Sequence, residues 1–573
     1  MSEPTRRTVA DALADALVRH GVELIFGQSN PTALMLAAER RGIRQVLYRT
    51  ENAGGVMADG YARTSRKIGV LALQNGPAAA LAVAPMAEAM KASVPMLVLV
   101  QEVPASNRDR NAFQELDHAA LFTEVSKWTR RIDDPARVDD YVDLAIVAAT
   151  SGRAGPVVLL LPRDVLQLEA GEATLPRTHR LGGFPLDRPR PDADAVARAA
   201  ELLAGAESPL IMAGGGVHLS GAEGALAGLV QVAHLPVATT NMGKGAVDET
   251  APLSLGVAAN LAGKAGPTRR NLSLLEEADV VLLVGTRTNE NGTDKWGLTS
   301  RTATYIHIDV DGFEIGRNYE AVRLVGDARA ALEDLTAALT VRDLSKRLSR
   351  RDGLIARIAR GRAERGADVA SLISAEQSPI RPERLVTELD RLLSPDDIVA
   401  CDASYSAIWM SSYLTSRAPG QRFLTPRGLA GLGWGMPLAL GAKLARPDAR
   451  VVALVGDGGF AHVWSELETA VRARIPVVVI VLNNGELAYQ RHAENLLFGS
   501  TTSAIEFMPV AHAAIARAAG AVGMDLREPA DIRPTLETAL ETRVPVVIDA
   551  IVDPTAFGPA RIFDGKEEVI NAR

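Results

Sequence analysis

RVVALVGDGGF (450–460) and PVVVIVLNN (476–484) are two runs of aliphatic and β-branched residues, each closed by Gly, Asp or Asn. Both are apolar on every position that a strand would turn to either face. Such runs are strands buried in a parallel sheet covered by helices on both sides. A helix running to AVRARIP (470–476) joins them, which makes a β-α-β unit. Ligands of open parallel sheets bind at the carboxyl ends of the strands, and this pair ends in Asp457 and in Asn483-Asn484.

The same pattern recurs along the chain, in IGVLALQNG (68–76), PMLVLVQEV (95–103), GPVVLLLP (155–162), PLIMAGGG (209–216), ADVVLLVGT (278–286), TYIHIDVD (304–311) and PVVIDAIVD (545–553). The fold class is therefore α/β with open doubly wound parallel sheets. At roughly 150 residues per domain, a chain of 573 residues should hold three or four domains. Residues 177–194 carry Pro, Gly and charge and read as a linker, while Arg-rich residues 343–368 read as a solvated connecting helix. These cuts give a first domain at 1–176, a central Rossmann-like domain at 190–342, a third domain at 376–556 and a tail at 557–573.

The first and third domains repeat one another. Ala58, Gly60, Ala89, Lys91, Ala92 and Pro95 line up with Ala439, Gly441, Ala470, Arg472, Ala473 and Pro476 at a constant offset of 381. A gapless match of this length points to two copies of one fold flanking the central domain.

Composition narrows the function. Hydrophobic residues make up 47% and charged residues 23%, so the chain is globular rather than disordered. The formal net charge is −7 and no Lys/Arg block stands out, which argues against a nucleic-acid partner. Cys401 is the only cysteine, which excludes a disulfide framework and Cys-rich metal sites. The amphipathic N-terminus has no signal-like apolar segment and no run is long enough to span a bilayer, so a soluble cytoplasmic protein is expected.

The chemistry is concentrated at the ends of the first two strands. Asp457 and Asn484 close neighbouring strands and offer hard oxygen donors to one spot, which suits Mg²⁺ with its preference for oxygen ligands and phosphate. Gly456, Gly458 and Gly459 let the backbone approach a diphosphate.

With these residues the chain resembles thiamine-diphosphate-dependent enzymes of the acetolactate synthase and 2-oxo acid decarboxylase superfamily, over nearly its whole length. The resemblance implies Asp457, Asn484 and the backbone carbonyl of Glu486 as Mg²⁺ ligands; the plain reading of the Glu486 side chain is solvent exposure. TENAGGVMADGYAR (50–63) resembles the family's E-x-A-x-x-x-A-D-G-Y-A-R segment and implies Glu51 as the carboxyl group that shares a proton with the cofactor's ring N1′. The other reading of Glu51 is a helix cap. Thr50 stands where relatives often have His or Arg, so any role of that His in handling substrate is absent. RGLAGLGWGMP (427–437) resembles the segment that bends the cofactor, with Leu432 as the wedge and the Ala430 carbonyl facing the 4′-amino group. Leu432 lies 381 residues after Glu51, so the two occupy equivalent places in the repeat.

FGQSNP (26–31) resembles the first domain's FG-x-P-G loop. QNGP (74–77) and AFQELD (112–117) resemble segments beside the thiazolium and the substrate, giving Gly76, Phe113 and Gln114, and SKW (126–128) gives a substrate-side Lys127. In the central domain, AGGG (213–216), TTNMGKG (239–245) and GTRTNENG (285–292) resemble a region that holds FAD in acetolactate synthases and ADP in CoA-thioester relatives. Arg287 matches one FAD-contacting Arg and Asn291 lies near the place of a second. His307 reads as core, His20 as helping a helix C-terminus, and His492 falls where relatives place substrate-side residues.

The resemblance implies a carboligase that decarboxylates a 2-oxo acid such as pyruvate and transfers the acyl-anion equivalent to a carbonyl acceptor, working as a homodimer or homotetramer. The alternatives are a simple 2-oxo acid decarboxylase, a lyase acting on 2-hydroxyacyl-CoA or oxalyl-CoA, and a relative without catalysis. A Trp that shapes the acceptor pocket in biosynthetic acetolactate synthases is replaced here, with Ala493 near its place. The substrate pair is therefore open at this point.

Overall fold

A computed structural model describes residues 7–171 and 177–571. The first six residues, the end of the first-domain span at 172–176 and the last two residues of the tail lie outside the described residues.

Three six-stranded parallel sheets form the framework. The first contains β1 (Leu24–Gly27), β2 (Arg44–Val46), β3 (Gly69–Leu73), β4 (Met96–Glu102), β5 (Trp128–Arg131) and β6 (Pro156–Pro162), in the order β2-β1-β3-β4-β6-β5. The second contains β7 (Pro209–Ala213), β8 (Val237–Thr239), β9 (Ser254–Val257), β10 (Val280–Val284), β11 (Thr304–Asp309) and β12 (Ala321–Val325), ordered β12-β11-β10-β7-β8-β9. The third contains β13 (Ile398–Cys401), β14 (Phe423–Leu424), β15 (Val451–Gly456), β16 (Val478–Asn483), β17 (Val522–Leu526) and β18 (Val546–Ile551), ordered β14-β13-β15-β16-β18-β17. The first and third sheets share one strand order, which is the repeat seen in the sequence. The second has the strand order of dinucleotide-binding folds. Central strands such as β4, β6 and β16 are buried at every residue, as parallel sheets covered on both faces require.

Contacts divide the chain into two units. One holds Met1–Asp187 with Pro426–Asp448 and Val463–Pro476; the other holds Arg188–Thr425, Ala449–His462 and Val477–Arg573. Two helices that the linear cuts give to the third domain, Gly435–Ala445 and Glu466–Arg472, thus pack with the first sheet. Helices Glu51–Ser65 and Gly435–Ala445 approach backbone to backbone. A Cβ on Gly60 would lie 2.3 Å from the Leu438 carbonyl oxygen, and one on Gly441 would lie 2.0 Å from that of Met57. The pairs 60/438 and 57/441 run in opposite directions, so the helices are antiparallel, and glycine is what lets their backbones touch.

The Arg-rich stretch is the helix Ser345–Ile373, largely exposed as expected. Its arginines also tie down loop carbonyls: Arg362 donates to Ala251 and Ser254, and Arg365 to Ala265 and Ser412. The tail from 557 onward is no loose end, since Phe563 and Ile570 are buried in the core of the third sheet. Among the described residues, no helix is long and apolar enough to cross a membrane.

Candidate active site

β15 and β16 pair in register with Gly456 opposite Leu482, so Asp457 and Asn484 leave neighbouring strand ends. Asp457 is buried. Its Oδ1 accepts from the Gly458 N–H at 2.8 Å and its Oδ2 from the Gly485 N–H at 2.7 Å. Burial pushes this carboxyl up to about 6, with the amide donors pulling the other way. Among the described residues no cationic side chain pairs with it. A buried carboxylate without a cation is a costly group in an apo protein, and a bound metal ion removes the cost.

The two asparagines divide their work. Asn483 faces inward, donating to Asp549 Oδ1 at 2.8 Å and to the Val510 carbonyl at 3.1 Å, and Asp549 Oδ2 accepts from the His512 N–H. Asn484 is half-buried, and its Oδ1 accepts a long 3.3 Å bond from the Glu486 N–H. The Glu486 side chain is not in solvent as expected: it is half-buried and paired with buried Arg491 at 2.7 Å. A Cβ on Gly458 would meet the Phe507 ring at 2.8 Å, so the glycine makes room for that ring.

Glu51 is the first residue of its helix, and Thr50 is the N-cap, its Oγ1 accepting from the Ala53 N–H at 3.3 Å. The cap is therefore Thr50's work. Among the described residues the half-buried Glu51 makes no hydrogen bond or ion pair. The backbone leading to it is pinned from both sides. Gln28 Nε2 donates to the carbonyls of Tyr48 and Arg49, and Glu466 accepts from the N–H groups of Arg49 and Thr50. Neither Gln28 nor Glu466 was legible as part of this site. Gln28 lies inside the quoted FGQSNP loop, but its bonds are to carbonyls twenty residues away.

Ala430 and Leu432 sit in the loop before the Gly435–Ala445 helix. Leu432 is half-buried rather than core, and Ala430 holds φ +65°, a left-handed conformation that costs a non-glycine residue of order 1 kcal/mol. A Cβ on Gly431 would run into the Trp434 ring at 2.6 Å.

Gly76, Phe113 and Gln114 come together at the carboxyl ends of β3 and β4. Asn75 Nδ2 donates to the carbonyls of Phe113 and Gln114, and Gln74 Nε2 donates to Gln114 Oε1 at 2.8 Å. Phe113 is the most exposed of the three, at 83%. Lys127, expected on the substrate side, does not join them. It precedes β5 at the amino edge of the sheet, and its ammonium is held by the carbonyls of Ala148 and Ser151 at the end of helix Val138–Thr150. The cation that β5 delivers to the carboxyl edge is Arg131, which binds Glu102.

The three histidines singled out from the sequence are held within the fold. His492 is fully buried between the Tyr405 hydroxyl and Arg491, and burial lowers it to about 3. His307 in β11 bonds the Thr286 carbonyl and is lowered to about 4. His20 caps its helix, and its ring lies between Asp143 and the Leu181 N–H.

In the central domain the glycines pack on each other. A Cβ on Gly214 would lie 2.4 Å from the Gly285 carbonyl oxygen, and one on Gly216 would lie 2.7 Å from the Gly285 Cα. At the same edge, Thr239 Oγ1 and Asn241 Oδ1 are buried without a partner among the described residues.

Three segments match the thiamine pyrophosphate (thiamine diphosphate) enzymes: the N-terminal TPP binding domain over residues 7–121, the central domain over 196–335 and the C-terminal TPP binding domain over 402–550. A probable acetolactate synthase large subunit of Methanococcus aeolicus is 32% identical, covering 96% of this chain and 92% of its own. The chain belongs to the acetolactate synthase family of thiamine pyrophosphate enzymes. Acetolactate synthases of Arthrospira platensis, at 32% identity with 96% and 94% covered, and Parasynechococcus marenigrum, at 33% with 95% and 87%, stand equally near. As a family member it is a thiamine-diphosphate-dependent enzyme, and the candidate residues above lie within or beside the matched domains.

Proposed function

We propose that this acetolactate synthase-like enzyme decarboxylates a 2-oxo acid such as pyruvate and ligates the acyl-anion equivalent to a second carbonyl compound, using thiamine diphosphate and Mg²⁺. The observation that carries the metal part is Asp457: a buried carboxylate beside Asn484, with no cationic partner among the described residues. One carboxylate, one amide oxygen and the Glu486 carbonyl suit Mg²⁺, with diphosphate oxygens and water completing its shell. When bound, thiamine diphosphate supplies the carbanion equivalent for breaking and making the C–C bond.

The chain's residues do the rest. Glu51, without a hydrogen-bond or ion-pair partner among the described residues, would exchange a proton with the cofactor's pyrimidine nitrogen. The Ala430 carbonyl would face the cofactor's amino group, and the Leu432 side chain would help hold the cofactor in place. Gly76 would lie beside the cofactor and Gln114 would border the substrate. Lys127 is left out of the machinery, because its ammonium serves a helix end.

The working enzyme is a homodimer or a dimer of dimers. Glu51 and Leu432 of one chain lie at opposite ends of the antiparallel helix pair. Glu88 ties Arg63 to the backbone of Gly428 and Leu429, which puts the Leu432 loop at the Arg63 end. From Arg63 to Glu51 is about 18 Å of helix at 1.5 Å per residue. One pyrimidine ring touches a Glu51 and a Leu432 only if they come from different copies.

For FAD the fit is partial. Thr239 and Asn241 would satisfy a polar ligand, but the glycines of the resemblance are used up against each other. The absorbance spectrum of the purified protein tests for a bound flavin.

The deciding experiment is CO₂ release from a panel of 2-oxo acids with thiamine diphosphate and Mg²⁺, with product analysis. A 2-hydroxy-2-alkyl-3-oxo acid supports the carboligase reading. Aldehyde alone, or cleavage of CoA thioesters alone, moves the assignment to one of the alternatives.

A further inference from the structure

The carboxyl edge of the first sheet holds a chain of polar groups that the proposed chemistry does not use. The Gly76 N–H donates to His118 Nε2 at 3.0 Å. A backbone amide can only donate, so Nε2 is unprotonated and the ring proton sits on Nδ1. Nδ1 faces Glu102 Oε1 at 3.4 Å. Glu102 in turn binds Arg131 through both its oxygens, one of them at 3.0 Å to Nη2. His118 and Glu102 are buried, at 1% and 5% exposure, while the Arg131 guanidinium reaches partly to solvent. Burial pushes the Glu102 carboxyl up, but hydrogen bonds from His118 and Arg131 outweigh it and hold Glu102 well below the usual range. The three side chains come from β4, from the end of β5 and from the segment after Gln114.

The far end of this chain of bonds is a turn that only glycine tolerates. Gly76 has φ +69°, and a Cβ there would come 2.9 Å from both the Cβ and the carbonyl oxygen of Gln114. Asn75 bonds the Gln114 carbonyl, and Gln101 Nε2 orients Asn75 through its Oδ1. Gln74 Nε2 occupies Gln114 Oε1, which leaves the amide N–H groups of the half-buried Gln114 side chain as its donors. What fixes Gly76 therefore also fixes the position and polarity of Gln114.

We propose that Arg131, Glu102 and neutral His118 form a positioning relay that locks the Gly76 turn and thereby holds Gln114 as a hydrogen-bond donor to the substrate's carboxylate. The relay touches neither substrate nor cofactor. It acts as second-layer partners do at other sites, by fixing the tautomer and orientation of the group in front. The proposal rests on Gln114 being substrate-facing, as in the function proposed above.

The test compares His118→Gln, His118→Phe and Glu102→Gln in the full-length holoenzyme. Gln can accept from the Gly76 N–H and donate to Glu102, and Phe can do neither. His118→Phe should raise KM for the 2-oxo acid roughly tenfold or more, with thiamine diphosphate affinity and C2–H exchange unchanged. His118→Gln should restore KM, and Glu102→Gln should fall between. Unchanged KM in His118→Phe overturns the proposal. So does a loss spread equally over KM, cofactor affinity and C2–H exchange, which marks a purely structural residue. If His118→Phe does not fold, the ¹⁵N-histidine NMR spectrum decides. His118, assigned by its disappearance in His118→Gln, must show the Nδ1–H tautomer, and Glu102→Gln must shift it; an Nε2–H or doubly protonated ring near neutral pH rejects the relay. If the wild type turns over no 2-oxo acid, the function proposal fails by that result alone, and the same tautomer signature still decides the relay.

Discussion

Glu88 and Glu466 lie three residues, about one helical turn, out of register across the internal repeat, yet each is a buried carboxylate that clamps the loop leading into the other copy's helix. Glu466 accepts from the N–H groups of Arg49 and Thr50, both at 3.0 Å. Glu88 accepts from those of Gly428 at 2.9 Å and Leu429 at 2.5 Å. The first clamp sets the approach to Glu51 and the second the approach to Ala430 and Leu432. Glu466→Gln replaces one acceptor oxygen with an amide that faces an N–H donor. The expected result is a stability loss of about 2 kcal/mol, with C2–H exchange slowed because Glu51 is no longer held. Denaturant melts and deuterium exchange on the same sample check it, and full stability with normal exchange would refute the clamp.

The helix crossing gives a test of the repeat itself. Gly60→Ala and Gly441→Ala each drive a methyl into a carbonyl of the facing backbone, which cannot rotate away. Each should cost about 2–3 kcal/mol as overpacking at a rigid contact. Gly228→Ala is the control, since open space surrounds that position in helix Glu223–Ala233. It should raise stability by about 0.5–1 kcal/mol. Equal effects at all three sites in thermal unfolding would mean that the crossing is looser than the geometry shows.

Asp457 predicts a ligand-linked melting temperature. Wild-type protein should melt higher with Mg²⁺ and thiamine diphosphate together than with either alone, because ligands that bind only the native state stabilise it. Asp457→Asn keeps the size of the side chain and removes the charge that the metal neutralises. Its melting temperature should be indifferent to the pair. A full ligand-induced shift in Asp457→Asn would place the metal elsewhere.

Acid should destabilise the protein through its buried histidines. His492 and His307 are lowered from 6.5 to about 3 and about 4, chiefly by burial. A lowered folded value means that the unfolded chain takes up the proton first. The stability present above about pH 6.5 is then lost as pH falls toward the folded values. Each histidine contributes about 1.4 kcal/mol per pH unit in that window, and His20, His218 and His512 shift in the same direction. His492→Gln should shrink the slope of unfolding free energy between pH 6.5 and 5 by one proton's worth. An unchanged slope would mean that His492 is already charged in the native state.

The strands legible in the sequence are those buried on both faces, because only they show continuous apolar runs. All nine quoted runs, from IGVLALQNG to PVVIDAIVD, became strands. The edge strands β2, β12 and β17 are half exposed and carry no such signal. Asp457, Asn484 and Glu51 stand out in the sequence because the proposed chemistry demands particular residue types after particular elements. Lys127 was misplaced for a related reason. A lysine beside a strand looks alike in sequence at either end, and only the parallel register shows that it precedes β5 whereas Arg131 ends it. Glu466, Gln28 and His118 were out of reach, since each acts on backbone groups far away in the chain.

Glu51→Gln bears most directly on the chemistry. The substitution keeps size and one hydrogen-bonding oxygen but removes the proton-sharing carboxyl. The helix keeps its Thr50 cap, so stability should change little, whereas a capping glutamate would lose about 1 kcal/mol. The diphosphate end, built on Asp457 and Asn484, is untouched, so thiamine diphosphate should bind near normally. Turnover should fall roughly 10²-fold or more, the scale of general acid–base effects, and C2–H exchange should slow with it. Exchange followed by NMR after acid quench separates these outcomes from a simple loss of cofactor. Rapid exchange in Glu51→Gln would remove Glu51 from the proton transfer and leave its freedom from other partners without a purpose.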